Sequence, residues 1–235
     1  MIAVIVPVHN EQDTLAACLQ ALLIAAAHPS LAARSVQIVV VLDACTDASA
    51  AIAARLPVVS IAVALRNVGA VRAAGAAHAI GCGAEWLANT DADTLVSPDW
   101  LWQQIRLGTD AVCGTVAVED WSAHGAAADM LRAHFARTYT DADNHRHIHG
   151  ANFGVSVAAY HRVGGFPALA CSEDVALVEL LQRAGASIAW SAAPRVITSA
   201  RVQARAVGGF ADTLVAVVRR AQECGGAAFA SPPSS

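Results

Sequence analysis

The chain has 235 residues, 56% hydrophobic and 14% charged, with a formal net charge of −4. That length allows a substantial core in one large domain, and an acidic balance without a basic stripe argues against nucleic acid as a partner. No apolar run reaches the roughly 18 to 20 residues that cross a bilayer, the longest being interrupted by His28 and Pro29, so no transmembrane segment is expected.

The opening run "IAVIVPV" follows without a basic n-region or a small-residue cleavage site, which predicts a soluble, cytoplasmic protein, with peripheral association at the inner membrane face left open. It reads as a buried strand, followed by a helix with apolar positions at Leu15, Cys18, Leu19, Leu22 and Leu23. "VQIVVVLD" is a second strand, and "CTDASAAIAARL" a helix opened by Thr46 or Asp47. "VVSIAVA" is a third strand, after which Asn67 opens an alanine-rich helix. "AEWLANT" is the fourth, followed by a helix with Ser97 as N-cap, Pro98 at the first helical position and Asp99 in the first turn.

"DAVCGTVAVED" is a further strand and "SAHGAAADMLRAHFART" a helix. The polar connection "DADNHRHIHG" leads to the strand "ANFGVSV" and a short helix. Ser172 then caps a helix with Glu173 and Asp174 in its first turn, and the tail "GGAAFASPPSS" has the composition of a disordered segment. The six cysteines (Cys18, Cys45, Cys82, Cys113, Cys171, Cys224) show no C-x-x-C spacing, which favours reduced thiols over disulfides or a zinc knuckle.

Strands apolar on both faces and alternating with helices predict an α/β fold with a mostly parallel central sheet and helices on both faces. In such sheets functional groups gather beyond the carboxyl ends of the strands. The first four strands end in His9, Asn10 and Glu11, in Asp43, in Arg66 and Asn67, and in Asp91 and Asp93. Two acids one residue apart repel, so a positive partner is expected between them. Mg²⁺ or Mn²⁺ bridging to phosphates takes one or two carboxylates of this kind; the plain alternative is a pair of solvated loop acids. No G-x-G-x-x-G follows the first strand and no P-loop occurs, which counts against a dinucleotide dehydrogenase or a P-loop NTPase.

The pieces "VIVPVHNEQDTL", "VVVLDACTDAS", "RNVGAVRAAGAA", "NTDADTLVSPDWL", "HGANFGVSVAAYHRVGGFP" and "CSEDVALVELLQRAG" occur in order from residue 2 to about 185. In this order and spacing the chain resembles a family-2 glycosyltransferase of the GT-A fold. The resemblance implies one domain over residues 1–225, with a nucleotide-sugar half at 1–110, an acceptor half at 111–225, and a tail at 226–235. It implies transfer of a sugar, with inversion, from a nucleoside-diphosphate donor (UDP by default, GDP remaining open) to an acceptor hydroxyl. Pro7, His9, Asn10 and Glu11 would wrap base and ribose, and Asp43 would meet the base, its other reading being a helix cap. Asn67, Gly69 and Arg72 would border the nucleotide, with Arg72 offered to the diphosphate or to Asp91. Asp91 would touch the ribose, and Asp93, helped by Asp91, would hold the metal. His149, Gly150, Ala151 and Asn152 fall on the acceptor side. Asp174 matches the catalytic base, and Glu173 would orient the acceptor or a neighbouring loop; without the resemblance both are ordinary acids at a helix N-terminus.

Residue 9 is aromatic or small in many relatives, and "DACTD" lacks an adjacent acidic pair often seen there. Without the Q-x-x-R-W motif and membrane helices of processive synthases, a single transfer fits better. The acceptor is open between a small metabolite, a lipid and a glycan precursor. A non-catalytic nucleotide-sugar-binding protein, a nucleotidyltransferase on a related sheet and a histidine-centred metal hydrolase are the other readings. The last arises because His145, His147 and His149 would share one face of an extended segment, as a metal cluster or, more in keeping with the composition, as an exposed polar loop.

Overall fold

A computed structural model describes residues 1–202, 212 and 214–219. The expected disordered tail lies outside the described residues. Two compact units are distinguished: one of Met1–Glu119 with Thr140–Ser199, the other of Asp120–Tyr139 with Ala200–Ser235.

The larger unit is built on one eight-stranded sheet in the order β3-β2-β1-β4-β7-β6-β8-β5. β1 (Ile2–Val8), β2 (Val36–Asp43), β3 (Val59–Val63) and β4 (Trp86–Asn89) are parallel neighbours. β7 (Phe153–Ser156) runs antiparallel to both β4 and β6 (Ala111–Ala117), so β6 returns to the direction of β1. β8 (Ile188–Ile197) pairs parallel with β6, and the two-residue β5 (Leu95–Val96) closes the far edge antiparallel to β8. The sheet is therefore mixed but mostly parallel, as its β-branched runs predict.

Helices cover it because both faces are apolar. Ala3, Ile5, Val39, Val41, Leu87, Cys113, Phe153 and Val155 point to one face and pack with Val71 and Ala76 of α3 (Val68–Gly81), Ala159 of α6 (Val157–Arg162), and Leu177 and Leu181 of α7 (Glu173–Arg183). Their neighbours Ile2, Val4, Val6, Val40 and Ala88 are buried on the opposite face. The remaining helices of this unit are α1 (Leu15–Ala26), α2 (Ser49–Ala53) and α4 (Trp100–Arg106). α1 packs on α2, α4 and β5, and α4 on β8. On α1, Leu15, Cys18, Leu19 and Leu22 are buried as expected, with Ala25 completing the face and Leu23 only half-buried.

Two local expectations are corrected, and one strand is unforeseen. α4 begins at Trp100, because Ser97 Oγ turns to Asp99 Oδ1 (2.8 Å) and Trp100 N–H bonds back to the Ser97 carbonyl, leaving Ser97–Asp99 as a turn. Ser172 precedes α7 but does not cap it: its backbone is left-handed (φ 59°) and its hydroxyl makes no capping bond. β8 carries no clear strand signal, since "SAAP" interrupts it. The register against β6 shifts there, with Gly114 opposite Ser191 and Thr115 opposite Arg195, so Pro194 sits where no ladder donor is needed.

In the smaller unit the expected single helix is broken. Gly125 (φ 52°, ψ −126°) kinks a 3₁₀ stretch, Ser122–Ala127, that runs into α5 (Ala128–Thr138). Phe135 packs between Trp121 and Tyr139. No described helix is long and apolar enough to cross a membrane.

Candidate active site

The polar ends of β1 to β4 lie along one edge of the larger unit's sheet, since these strands are parallel neighbours. The first two loops are clasped together. Ser49 Oγ accepts from Glu11 N–H (2.9 Å), Asp47 Oδ2 from Gln12 N–H, Gln12 Oε1 from Ala48 N–H, and Asn10 Oδ1 from Thr46 N–H (2.8 Å). Asp47 also accepts from Ser49 N–H, but the N-cap position of α2 falls on Ala48, so neither Thr46 nor Asp47 caps it as expected. Glu11 is buried, with Thr14 Oγ1 donating to its carboxylate. His9 Nδ1 lies 2.7 Å from the Asp43 carbonyl, which can only accept, so Nδ1 carries the hydrogen. Pro7, at the edge of this loop, is half-buried.

Asp43 is buried and caps no helix. Its Oδ1 accepts from the N–H groups of Leu65 (2.7 Å) and Arg66 (3.1 Å), which ties the end of β2 to the end of β3. The chain passes through left-handed backbone at Asn10, Ala44 and Arg66 after these three strands. Non-glycine residues adopt that conformation at a cost, and such positions cluster where surrounding bonds enforce a particular loop shape.

Asn67 caps α3 as expected, its Oδ1 accepting from Ala70 N–H (3.0 Å). Its Nδ2 donates to the Ala168 carbonyl and Gly69 N–H to the Leu169 carbonyl. A methyl at Gly69 would run into the Pro167 carbonyl, so the close approach that this glycine permits is to the chain's own 167–169 segment.

Asp91, Ala92, Asp93 and Thr94 form a β-turn closed by Thr94 N–H on the Asp91 carbonyl. Both acids are half-buried, and the turn rests on Cys18, whose thiol donates to the Asp91 carbonyl. Burial, with Asp93 and Asp91 overhead, pushes that thiol far above its ordinary pKa. The Thr94 hydroxyl lies 3.4 Å from Asp93 Oδ1 and 3.0 Å from the Thr198 hydroxyl just beyond β8.

Arg72 is 2% exposed and lies between three elements. Its Nη2 contacts Asp91 Oδ1 at 2.6 Å, its Nε contacts Glu173 Oε1 at 3.0 Å, and its Nη1 faces the Thr90 carbonyl. Arg72 is thus a positive partner for Asp91, the first acid of the pair. With two carboxylates already on the guanidinium, Arg72 is committed to the protein. Glu173 is likewise buried on Arg72, and burial raises its pKa against the pull of that guanidinium.

Asp174 is held by two backbone donors: Gly150 N–H on Oδ2 (2.6 Å) and Val175 N–H on Oδ1 (2.8 Å). Burial outweighs these donors and Arg72, and lifts its pKa above the ordinary carboxylate value. That makes the carboxylate a stronger base than a solvated aspartate. Gly150 is pressed onto the guanidinium; a Cβ there would lie 2.6 Å from Arg72 Nη2. Ala151 is buried, and Asn152 is sealed at 0% exposure. Its amide donates to the carbonyls of Thr115 and Pro194 and accepts from the Trp100 indole, so it braces β6, β8 and α4 instead of facing an acceptor.

The histidines do share a face. His145 and His147 stack with ring centroids 5.6 Å apart, and His147 and His149 at 6.1 Å. The rings are parallel, not convergent. His147 Nε2 accepts from Thr140 N–H, and His145 Nδ1 accepts from His147 N–H. The expectation of an exposed polar loop is corrected at His145, which is 3% exposed and packs edge-on to Trp190. Among the described residues no group of three or more His, Cys, Asp or Glu side chains could hold a metal ion alone. A divalent cation at Asp91 and Asp93 would thus draw its remaining oxygens from a bound diphosphate and water, the usual habit of Mg²⁺. The two turn carboxylates fit that role. The five described cysteines are free thiols; Cys224 lies outside the described residues.

Residues 3–164 match the model of glycosyl transferase family 2. The chain belongs to that family. Solved structures share its fold: a mannosyltransferase from Pyrobaculum calidifontis in complex with GDP-Man and Mn²⁺ superposes with a TM-score of 0.63 at 20% identity, over 100% of this chain and 65% of that one. S. aureus TarS 1-349 in complex with UDP-GlcNAc gives 0.63 at 14% identity, over 92% and 65%. Its UDP complex gives 0.61 at 13%, over 84% and 60%. At these identities the likeness establishes the GT-A type of fold, and the chain spans about 60 to 65% of the length of these structures. No curated protein matches it in sequence.

The Arg72–Glu173 pair, the Ser49–Glu11 clasp and the Thr94–Thr198 contact have no signal in the sequence. Arg72 and Glu173 are 101 positions apart, and only the apposition of α3 and α7 joins them.

Proposed function

We propose that this chain transfers a glycosyl group from a nucleoside-diphosphate sugar to an acceptor hydroxyl, in one displacement per encounter. A single observation carries the proposal: one buried guanidinium ties the two-carboxylate turn of Asp91 and Asp93 to Glu173, next to the backbone-held Asp174, at the polar edge of the sheet. The family membership supports it, and the similar structures bind UDP-GlcNAc or GDP-Man.

The charges favour a cation as the donor's escort. Asp91, Asp93, Glu173 and Asp174 share this edge with a single buried arginine, already bonded to two of them. The first turn of α3 offers a diphosphate little, since Gly69 and Ala70 N–H are bonded to Leu169 and Asn67. Asp93, aided by Asp91, would hold Mg²⁺ or Mn²⁺, which when bound offsets charge on the leaving diphosphate. His9, Asn10, Glu11 and Asp43 would line the base and ribose, with UDP as the first candidate and GDP the second.

Asp174 would take the proton as the acceptor oxygen attacks the anomeric carbon. The carbon–oxygen bond to the diphosphate breaks as the new one forms, so attack from the opposite face gives inversion. A panel of UDP- and GDP-sugars incubated with Mn²⁺ tests the activity. Release of free nucleoside diphosphate from one donor, abolished in Asp174→Asn, is expected; turnover unchanged in that variant contradicts the mechanism.

A further inference from the structure

Glu173 stands next to the proposed base and could itself be taken for a proton acceptor or a contact to substrate. Its surroundings say otherwise. It is 5% exposed, and its Oε1 is bonded to Arg72 Nε at 3.0 Å. Arg72 is in turn buried, and its other edge is spent on Asp91 and on the Thr90 carbonyl. The planar fork of a guanidinium binds two carboxylates in fixed directions, which an ammonium cannot do. Gly150 lies against that plane, and its N–H donates to Asp174 Oδ2 at 2.6 Å.

We propose that Arg72 and Glu173 are positioning residues: Glu173 fixes the Arg72 guanidinium, which holds the Asp91–Asp93 turn on one side and supports Gly150, and through it the Asp174 carboxylate, on the other. The proposal rests on the glycosyl-transfer reading of the site. A misplacement of about 1 Å at reacting groups costs on the order of a hundredfold in rate, so residues that never touch substrate can control turnover. Glu173 acts on the base side of the bridge. Arg72 acts on both sides, because Asp91 loses its partner with it.

The test separates these roles. UDP- or GDP-sugar hydrolysis with Mn²⁺ reports kcat, and calorimetry with the nucleoside diphosphate and Mn²⁺ reports donor-side affinity. Glu173→Ala is expected to lose about a hundredfold in kcat while nucleotide affinity holds. Glu173→Gln keeps an amide oxygen for Arg72 Nε but cannot accept a proton, and is expected to restore most of the lost rate. Arg72→Lys keeps the charge without the fork, and is expected to lower both kcat and metal-dependent affinity. Glu173→Gln as impaired as Glu173→Ala overturns the proposal, because a proton acceptor would behave that way. Should Glu173→Ala fail to fold, Arg72→Lys decides: unaltered kcat in that variant also overturns it. A wild type that binds no nucleotide under any metal overturns the functional reading, and this proposal with it. Wild-type binding and turnover with an unexpected variant pattern overturns the positioning roles alone.

Discussion

The indole N–H of Trp100 donates to Asn152 Oδ1 at 2.8 Å, while the same amide donates to the carbonyls of Thr115 and Pro194. This places Asn152 at a junction of α4, β6 and β8, with no surface left for a ligand. Asn152→Ala leaves one donor and two acceptors buried and unpaired, at about 1 to 3 kcal/mol each before relaxation. A loss of at least about 3 kcal/mol in urea unfolding, read as a lower midpoint with an unchanged slope, is the expected result. A midpoint within error of wild type contradicts the structural role.

Ala44 follows β2 with a left-handed backbone (φ 48°), its N–H bonded to the Val63 carbonyl. The side chain there costs roughly 1 to 2 kcal/mol, against somewhat less for the extra unfolded-state freedom of a glycine. Ala44→Gly should therefore raise thermal stability by about 1 kcal/mol or a little less, seen as a melting temperature higher by about 2 °C. A lower melting temperature would show that the backbone there is not strained.

Burial, with His147 and then His145 close by, pushes His149 down to about 4 from an ordinary 6.5. Above pH 6.5 neither folded nor unfolded chain binds a proton at this ring. Between 6.5 and 4 the unfolded chain binds one and the folded chain resists, so stability falls as the pH falls, by up to about 3 kcal/mol. His147 adds to the trend, its pKa also lowered by burial and by His145. Asp174, whose pKa burial raises, works in the opposite sense, losing stability as the pH rises through its folded value. Calorimetric melting temperatures from pH 7.5 to 4.5 should decline in the wild type and decline less in His149→Gln. Parallel curves for the two proteins contradict the assignment.

Much of the site's frame was legible because its signals are local. Continuous β-branched runs marked β1 and β2, and the polar residues after each of the first four strands marked one sheet edge. Asn67 announced the start of α3. What the sequence could not show depends on distant apposition or on backbone shape. Arg72 meets Glu173 because α3 and α7 pack together, and nothing near residue 72 signals an acid at residue 173. Ser172 reads as a cap by residue type, yet its left-handed backbone removes the hydroxyl from that role. β8 was hidden because Pro194 and two alanines lie in its irregular part, where strand propensity is lowest. Asn152 carried a family position but has a packing role, a difference that only its burial reveals.

Gly69 lies against the 167–169 segment, and its N–H is bonded to the Leu169 carbonyl. Gly69→Ala must displace backbone, because the obstructing atom is the Pro167 carbonyl and not a mobile side chain. Increased amide exchange confined to residues 165–173 is expected, with a loss of about 1 to 3 kcal/mol typical of overpacking. Unchanged exchange there would mean that the segment does not rest on α3.

Calorimetric titration of UDP and GDP, with and without Mn²⁺, into wild type and Asp93→Ala decides whether the Asp91–Asp93 turn is a metal-dependent nucleotide site. One of the two nucleotides is expected to bind only when Mn²⁺ is present, and Asp93→Ala to abolish this binding while the protein remains folded. Absence of binding to the wild type under every condition, or binding that Asp93→Ala leaves intact, would contradict such a site.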